Sequence, residues 1–323
     1  MKKYILRRLL LMVPLLLGIS VISFAIMQLA PGDPASLSAA MNQKIDPSYI
    51  EKLRASYGLN EPIPVQYWHW LSHLCRLDFG NSFKDGRPVL TLIAEHLPAT
   101  LLLSGLSLVL LFLIGVPLGV AAAYYQGKWP DRLITAFTFF GFSMPDFWLA
   151  LMMMLLFGVT LGLFPISGMR SLGAEDLPFW DGLGDLIRHL ALPLFVTTFV
   201  ALASVSQYAK TSLLEVIRQD YIRTARAKGL SESQVILKHA LRNALIPIVT
   251  LMGLSLPGLI GGSVIIESIF AWPGMGRLGY ESMMNHDYPV VMGVGIISAF
   301  LTLLGNLLAD IGYAWLDPRV KYD

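Results

Sequence analysis

From residue 9 to residue 30 the chain carries no charged side chain. At 1.5 Å of rise per residue, a helix over such a run spans roughly 30 Å, the thickness of a bilayer's hydrocarbon core. Lipid offers nothing to satisfy a bare backbone, so a helix is the form such a run adopts. Comparable apolar runs recur at 98–125, 133–164, 190–208, 245–266 and 290–315, those at 133–164 and 290–315 each holding one aspartate. The pattern predicts an all-α membrane protein with six transmembrane helices. Composition agrees: 55% of the 323 residues are hydrophobic and only 14% are charged, against about 25% charged in soluble domains. The net charge of +2 gives no reason to expect a nucleic-acid partner. A single cysteine, Cys75, leaves no intrachain disulfide to form.

The loops set the expected topology. Lys2, Lys3, Arg7 and Arg8 hold the start of the first run in the cytoplasm. That run exceeds the apolar region of a secretory signal, about 7–15 residues, and Pro31-Gly32-Asp33-Pro34 stands where a small-residue cleavage site would be. Residues 1–30 therefore read as an uncleaved cytoplasmic segment and helix 1. Residues 31–97 are polar and form a large first external loop. Local helical signals occur within it at Asp46-Pro47, at 65–77 and at 88–96. In the second run Gly115 and Gly119 lie four apart, a small-residue face suited to close helix contact. Lys128 and Arg132 place the next turn inside. The third run holds Pro145 and Asp146, which predicts a kink. Residues 165–189 carry Glu175, Asp176, Asp181 and Asp185 and read as external; residues 267–289 read as external too. The polar segment 210–243 is the most cationic loop, hence cytoplasmic, and the tail 316–323 closes the chain inside.

That polar segment carries the functional signal. Its core begins at Asp220, where the small residues Ala225 and Ala227 alternate with Arg223, Arg226 and Lys228. A helix of that composition is too polar to span a bilayer. Gly229 is expected to end it, since glycine takes positive φ without steric cost. Ser231 can cap a second helix running toward Asn243. The expectation is two short helices at an angle on the membrane face, gripped by a second protein. The chain has no Gly-x-x-x-x-Gly-Lys-Ser/Thr cradle for phosphate, and Gly127-Lys128 runs into Trp129. Any nucleotide energy must come from another polypeptide.

The string Tyr221-Ile222-Arg223-Thr224-Ala225-Arg226-Ala227-Lys228-Gly229, followed by His239-Ala240-Leu241-Arg242-Asn243 and Pro247, resembles the cytoplasmic coupling loop of inner-membrane permeases in binding-protein-dependent ABC importers. The match is to the dipeptide, oligopeptide and nickel branch. The general family pattern is Glu-Ala-Ala-x-x-x-Gly. Here Arg223, Thr224 and Ala225 occupy its first three places, so the family's acidic residue is absent. The resemblance extends along the chain. Arg7-Arg8 with Pro31-Gly32-Asp33-Pro34 looks like the family's entry. Leu77-Asp78-Phe79-Gly80, Arg87-Pro88-Val89 and Leu97-Pro98-Ala99-Thr100 look like its first external loop. Ser143-Met144-Pro145 with Phe147-Trp148 looks like its third span. Glu267, Ile269-Phe270, Trp272-Pro273-Gly274 and Gly276, then Asp287-Tyr288-Pro289 and Asp317-Pro318-Arg319, look like its last third.

The resemblance implies the type I ABC importer fold. It implies a non-catalytic subunit forming half of a translocation pathway for di- or oligopeptides. It further implies a homologous second permease, two ATPase subunits that use ATP and Mg, and an extracytoplasmic solute-binding protein, in a bacterial or archaeal cytoplasmic membrane. The ATPase-coupling residues are then Tyr221, Arg223, Thr224, Ala225, Ala227, Gly229, Asn243 and Pro247; the pathway candidates are Ser143, Pro145, Asp146 and Glu267. Nickel-chelate import is the alternative cargo, and an ion-coupled secondary carrier is the alternative of a different class.

Other features have plainer readings. His69 and His73 share a helical face and could hold a metal, but Cys75 falls on the other side. Trp68 and Trp70 suit a headgroup-level anchor. Asp146 and Asp310 lie in apolar runs, where carboxylates face a bundle interior or pair; a loop arginine is the expected partner of Asp310. Met152, Met153 and Met154 point three ways around a helix and read as lipid and packing contacts. No nucleophile–base arrangement and no cofactor site is evident in the chain.

Overall fold

A computed structural model of the chain describes residues 2–29, 47–56 and 58–316. The Pro31–Pro34 string, Asp46 and the tail motif Asp317–Arg319 lie outside the described residues.

The helices, numbered in chain order, are α1 (Lys2–Leu29), α2 (Pro47–Ser56), α3 (Ile63–Leu74), α4 (Val89–Tyr124), α5 (Trp129–Ser143) and α6 (Asp146–Thr160). There follow α7 (Phe179–Ile217), α8 (Asp220–Ala227), α9 (Glu232–Ser255), α10 (Gly258–Gly261), α11 (Val264–Ile269), α12 (Met275–Met284) and α13 (Tyr288–Leu316). Five of them are long and apolar enough to cross a membrane, and α5 with α6 makes a sixth if that bent pair is one span.

Several helices outrun the apolar stretches that announce them. The fourth run, 190–208, lies within α7, whose 39 residues reach about 58 Å. Hydropathy marks only the part of a helix that sits in hydrocarbon; backbone bonding continues into polar flanks. Likewise 88–96 is not a separate loop helix but the first turns of α4, which runs through Pro98 and Pro117. The fifth run is divided the other way. Its helix starts at Glu232 and stops at Ser255, and Pro257 and Gly262 (φ +62) then break the chain into α10 and α11. The expected kink in the third run is a bend of 98° between α5 and α6. Met144 is extended there, because the residue before a proline is pushed out of the helical region.

Packing centres on α4 and α7. A Cβ on Gly119 would collide with the Ser206 carbonyl and with Ala209, and one on Gly115 would press on Val205. The two glycines therefore let α4 and α7 approach backbone to backbone. One apolar cluster joins Leu103 of α4, Leu149 of α6, Val196 and Phe199 of α7 and Trp272. At the other end Ala123, Leu213, Ile222, Val235 and Ala244 draw α4, α7, α8 and α9 into a second cluster. The first and last spans are clasped by polar contacts: Tyr4 donates to Asp310 at 2.8 Å and Arg8 pairs with it at 3.0 Å. Arg8, at the start of the first span, is thus a partner of Asp310.

Candidate functional site

The segment from Asp220 to Pro247 folds as one unit. Gln219 is extended, and α8 then begins with Asp220 in its first turn, where a carboxylate suits the helix dipole. Ile222 and Ala225 are buried, so only one side of α8 is held by the protein. Tyr221, Arg223, Thr224 and Ala227 are exposed on the rest. Thr224 spends its hydroxyl on the Asp220 carbonyl at 3.0 Å, and Arg223 reaches the Asp220 carboxylate at 3.4 Å. Where the family pattern has an acid, Arg223 projects outward.

Gly229 ends the helix at φ +78, and no atom lies within 4 Å of where its Cβ would be. Glycine is required there by backbone conformation, not by space. The chain restarts at Ser231, which forms a capping box with Gln234. Across the turn Arg226 grips Glu232 through two nitrogens, at 3.0 and 2.6 Å. The second helix does not end at Asn243. It passes through a π-helical stretch, Val235–Ala240, and continues as α9 into the apolar run. The expectation of a short second helix lying on the membrane is corrected: the residues from Leu241 onward have no breaking signal, and even Pro247 sits inside the helix.

Asn243 donates to the Tyr221 hydroxyl at 2.7 Å, which brings the two ends of the motif together. Tyr221, Lys238, His239, Arg242, Asn243 and Ile246 line an open recess beside α8. The base is fastened by Ser212 of α7, which donates to the Ala244 carbonyl at 2.9 Å. The arrangement presents a short helix, buried on one side and polar on the other, beside a cationic recess.

The other candidates fall in different places. Ser143, Pro145 and Asp146 meet at the 98° bend, with Ser143 donating to the Phe139 carbonyl and Asp146 accepting from the Phe147 amide. Glu267 does not join them. It is 0% exposed, enclosed by Gly262, Gly274 and Gly276, and accepts from Thr100 at 2.9 Å and from the Arg277 amide at 3.0 Å. Burial pushes its carboxyl above the usual carboxylate range, against the opposing pull of its donors. Thr100 in turn accepts from the Met275 amide at 2.7 Å, and Trp272 donates to the Ala99 carbonyl at 2.8 Å. Glu267 therefore acts as a knot that pins α11 and α12 to α4. His73 of the His69–His73 pair is engaged with Asp78 at 2.8 Å, and that hydrogen bond holds the Asp78 carboxyl below its usual range. Among the described residues, no three of His, Cys, Asp and Glu come together as a metal site.

Sequence reasoning missed the Arg226–Glu232 clamp, the Ser212 tether and an ion pair between Asp131 and Lys210. The first bridges a turn and was within reach of a local search. The other two join different helices, and no spacing rule marks them.

Comparison with known proteins agrees with this geometry. Residues 115–322 match the model of the family described as binding-protein-dependent transport system inner membrane component, and residues 1–104 match its N-terminal counterpart. The chain is 46% identical to the oligopeptide transport system permease protein AppB of Bacillus subtilis, over all of both chains. It is 40% identical, again over full length, to a putative peptide transport system permease protein of Brucella abortus and to the glutathione transport system permease protein GsiC of Salmonella typhimurium. Among solved structures it resembles a chain of the inward-facing MetNI methionine ABC transporter, at TM-score 0.55 and 21% identity, covering 71% of this chain and 97% of that one. That likeness bears on the fold.

Proposed function

The chain belongs to the family of binding-protein-dependent transport system inner membrane components, and on that premise we propose that it forms half of the passage through which an ABC importer moves di- or oligopeptides. It is a multi-pass protein of the cytoplasmic membrane. The second half of the passage comes from a homologous permease. Two ATPase subunits supply ATP and Mg chemistry that this chain does not perform. A solute-binding protein delivers cargo to the outer loops, chief among them residues 31–97. Both termini and the segment 220–243 face the cytoplasm, as the lysines and arginines of those segments direct.

The observation that carries the reading is the one-sided anchoring of α8. Ile222 is fully buried while Tyr221, Arg223 and Thr224 are exposed on a helix held at both ends. An amphipathic helix so mounted is what a groove on a partner can grip. The partner's closure shifts the bundle only if it binds α8 differently in its two arrangements, since equal contact in both shifts no equilibrium. Peptide cargo is supported by the named relatives at 40–46% identity.

The test uses the whole transporter. With Cys75 replaced by serine, a cysteine at Arg223 should cross-link to an ATPase subunit, and proteoliposomes with the binding protein should take up a labelled tripeptide on ATP addition. Cross-linking without peptide uptake but with nickel-chelate uptake would reassign the cargo. Uptake by this chain alone, driven by a proton gradient, would overturn the reading altogether.

A further inference from the structure

The cluster beneath α8 makes a single block of four helix ends. Ala123 of α4, Leu213 of α7, Ile222 of α8 and Ala244 of α9 pack together, and the Ser212 tether locks α7 to α9. A push on α8 therefore moves the near ends of α4, α7 and α9 with it, because a close-packed core transmits displacement. The bent span is not part of that block. Helix α5 leaves from the turn after α4 and reaches the 98° bend at Ser143 and Asp146 without touching α8 through the cluster.

A polar contact joins the two. Lys210, on α7 ten residues before α8, puts its ammonium 2.5 Å from the Asp131 carboxylate, in the first turn of α5. The side chains are 17% and 10% exposed. The other carboxylate oxygen accepts the Gly127 amide at 2.9 Å, and Thr135 adds a bond at 3.3 Å. Asp131 thus holds the turn, the start of α5 and Lys210 on one carboxylate. Farther along, α5 meets α7 through Gly141 against Phe199 and Phe137 against Phe199. Those contacts lie toward the bend; at the end next to α8 the shielded ion pair is a polar link between α5 and α7.

We infer that Lys210 and Asp131 are positioning residues for transport. Their ion pair ties the ATPase-driven block to α5, so that the bend at Ser143–Asp146 moves when α8 moves. This rests on α8 being the ATPase-docking helix. The pair touches neither partner nor cargo and acts through α5.

The assembled transporter, in a Cys75→Ser background, tests it. Spin labels at exposed Leu133 of α5 and Glu215 of α7 report their separation without nucleotide and after trapping with ATP and vanadate. The native pair should keep one narrow distance in both states. Asp131→Asn and Lys210→Met should broaden it, and should lower tripeptide uptake per ATP hydrolysed about tenfold, within the usual range of coupling between sites. Lys210→Met leaves the Gly127 and Thr135 bonds to Asp131 in place, and Lys210→Arg, which keeps the cation, should hold both readouts near native, which a merely damaged fold would not. Single variants that co-purify with the ATPases yet keep the narrow distance and native coupling would overturn the inference. So would a Lys210→Arg variant that co-purifies but keeps neither readout. The distance arm needs no cargo, so a wrong cargo leaves it decisive. Native chain that fails to co-purify with any ATPase would instead remove the docking reading, and this inference with it.

Discussion

The amide of Asn243 donates to the hydroxyl of Tyr221 at 2.7 Å, closing a span of 22 residues in which the chain turns at Gly229 and restarts at Ser231. The bond sits at the surface, so its worth lies near the lower end of the roughly 0.5–1.5 kcal/mol of a neutral hydrogen bond. Tyr221→Phe and Asn243→Ala should each weaken retention of the ATPase subunits a few-fold, and the double variant should be no worse than either single. Additive losses in that double-mutant cycle would mean the two act separately.

Gly229 separates strain from space. At φ +78 with nothing near the missing Cβ, substitution costs only the left-handed penalty, about 1–2 kcal/mol for an ordinary residue. Gly229→Val should uncouple ATP hydrolysis from uptake while the protein still reaches the membrane. Gly229→Asn should be much milder, since asparagine tolerates that region. Equal uptake by the valine and native proteins would count against the turn as a geometric requirement.

The Arg226–Glu232 clamp is 39% and 47% exposed, so screening limits it to about 0.2–1 kcal/mol. Glu232→Gln should leave the melting temperature of the purified chain nearly unchanged but raise the protease sensitivity of the 228–231 turn. High salt should do the same to the native protein. A large drop in melting temperature would show that the clamp stabilises more than the turn.

Glu267 offers a pH test with a definite sign. A carboxyl raised above its unfolded value favours the folded state at low pH, and that contribution is lost as pH rises through the raised value. The native protein's stability relative to Glu267→Gln should therefore shrink as pH climbs above the ordinary carboxylate range. A relative stability that grows with pH would reverse the assignment. Glu267→Ala should cost more than the glutamine variant at any pH, because it strands the Thr100 hydroxyl and the Arg277 amide in a buried site. Each unpaired group costs about 1–3 kcal/mol.

Local physics was legible in the sequence. Continuous apolar runs of membrane length pointed to helices, which satisfy the backbone within one segment where lipid offers it no partner. Gly229 and Ser231 declared a stop and a start, since positive φ and an oxygen-bearing cap are decided by a residue and its nearest neighbours. Gly115 and Gly119 announced a close helix contact, though not with which helix. What the residues could not declare were the pairings. Glu267 reads as a pathway candidate until the fold sets Thr100 against it from 167 residues away. Nothing local links Lys210 to Asp131, 79 residues away, until α7 and α5 stand side by side. The continuation of the second polar helix into the fifth span, and the 98° turn of the third, were likewise settled in three dimensions. Hydropathy and capping act within a few residues of the chain. The partner of a buried charge depends on which helices pack together, and that is fixed by the summed contacts of the whole bundle.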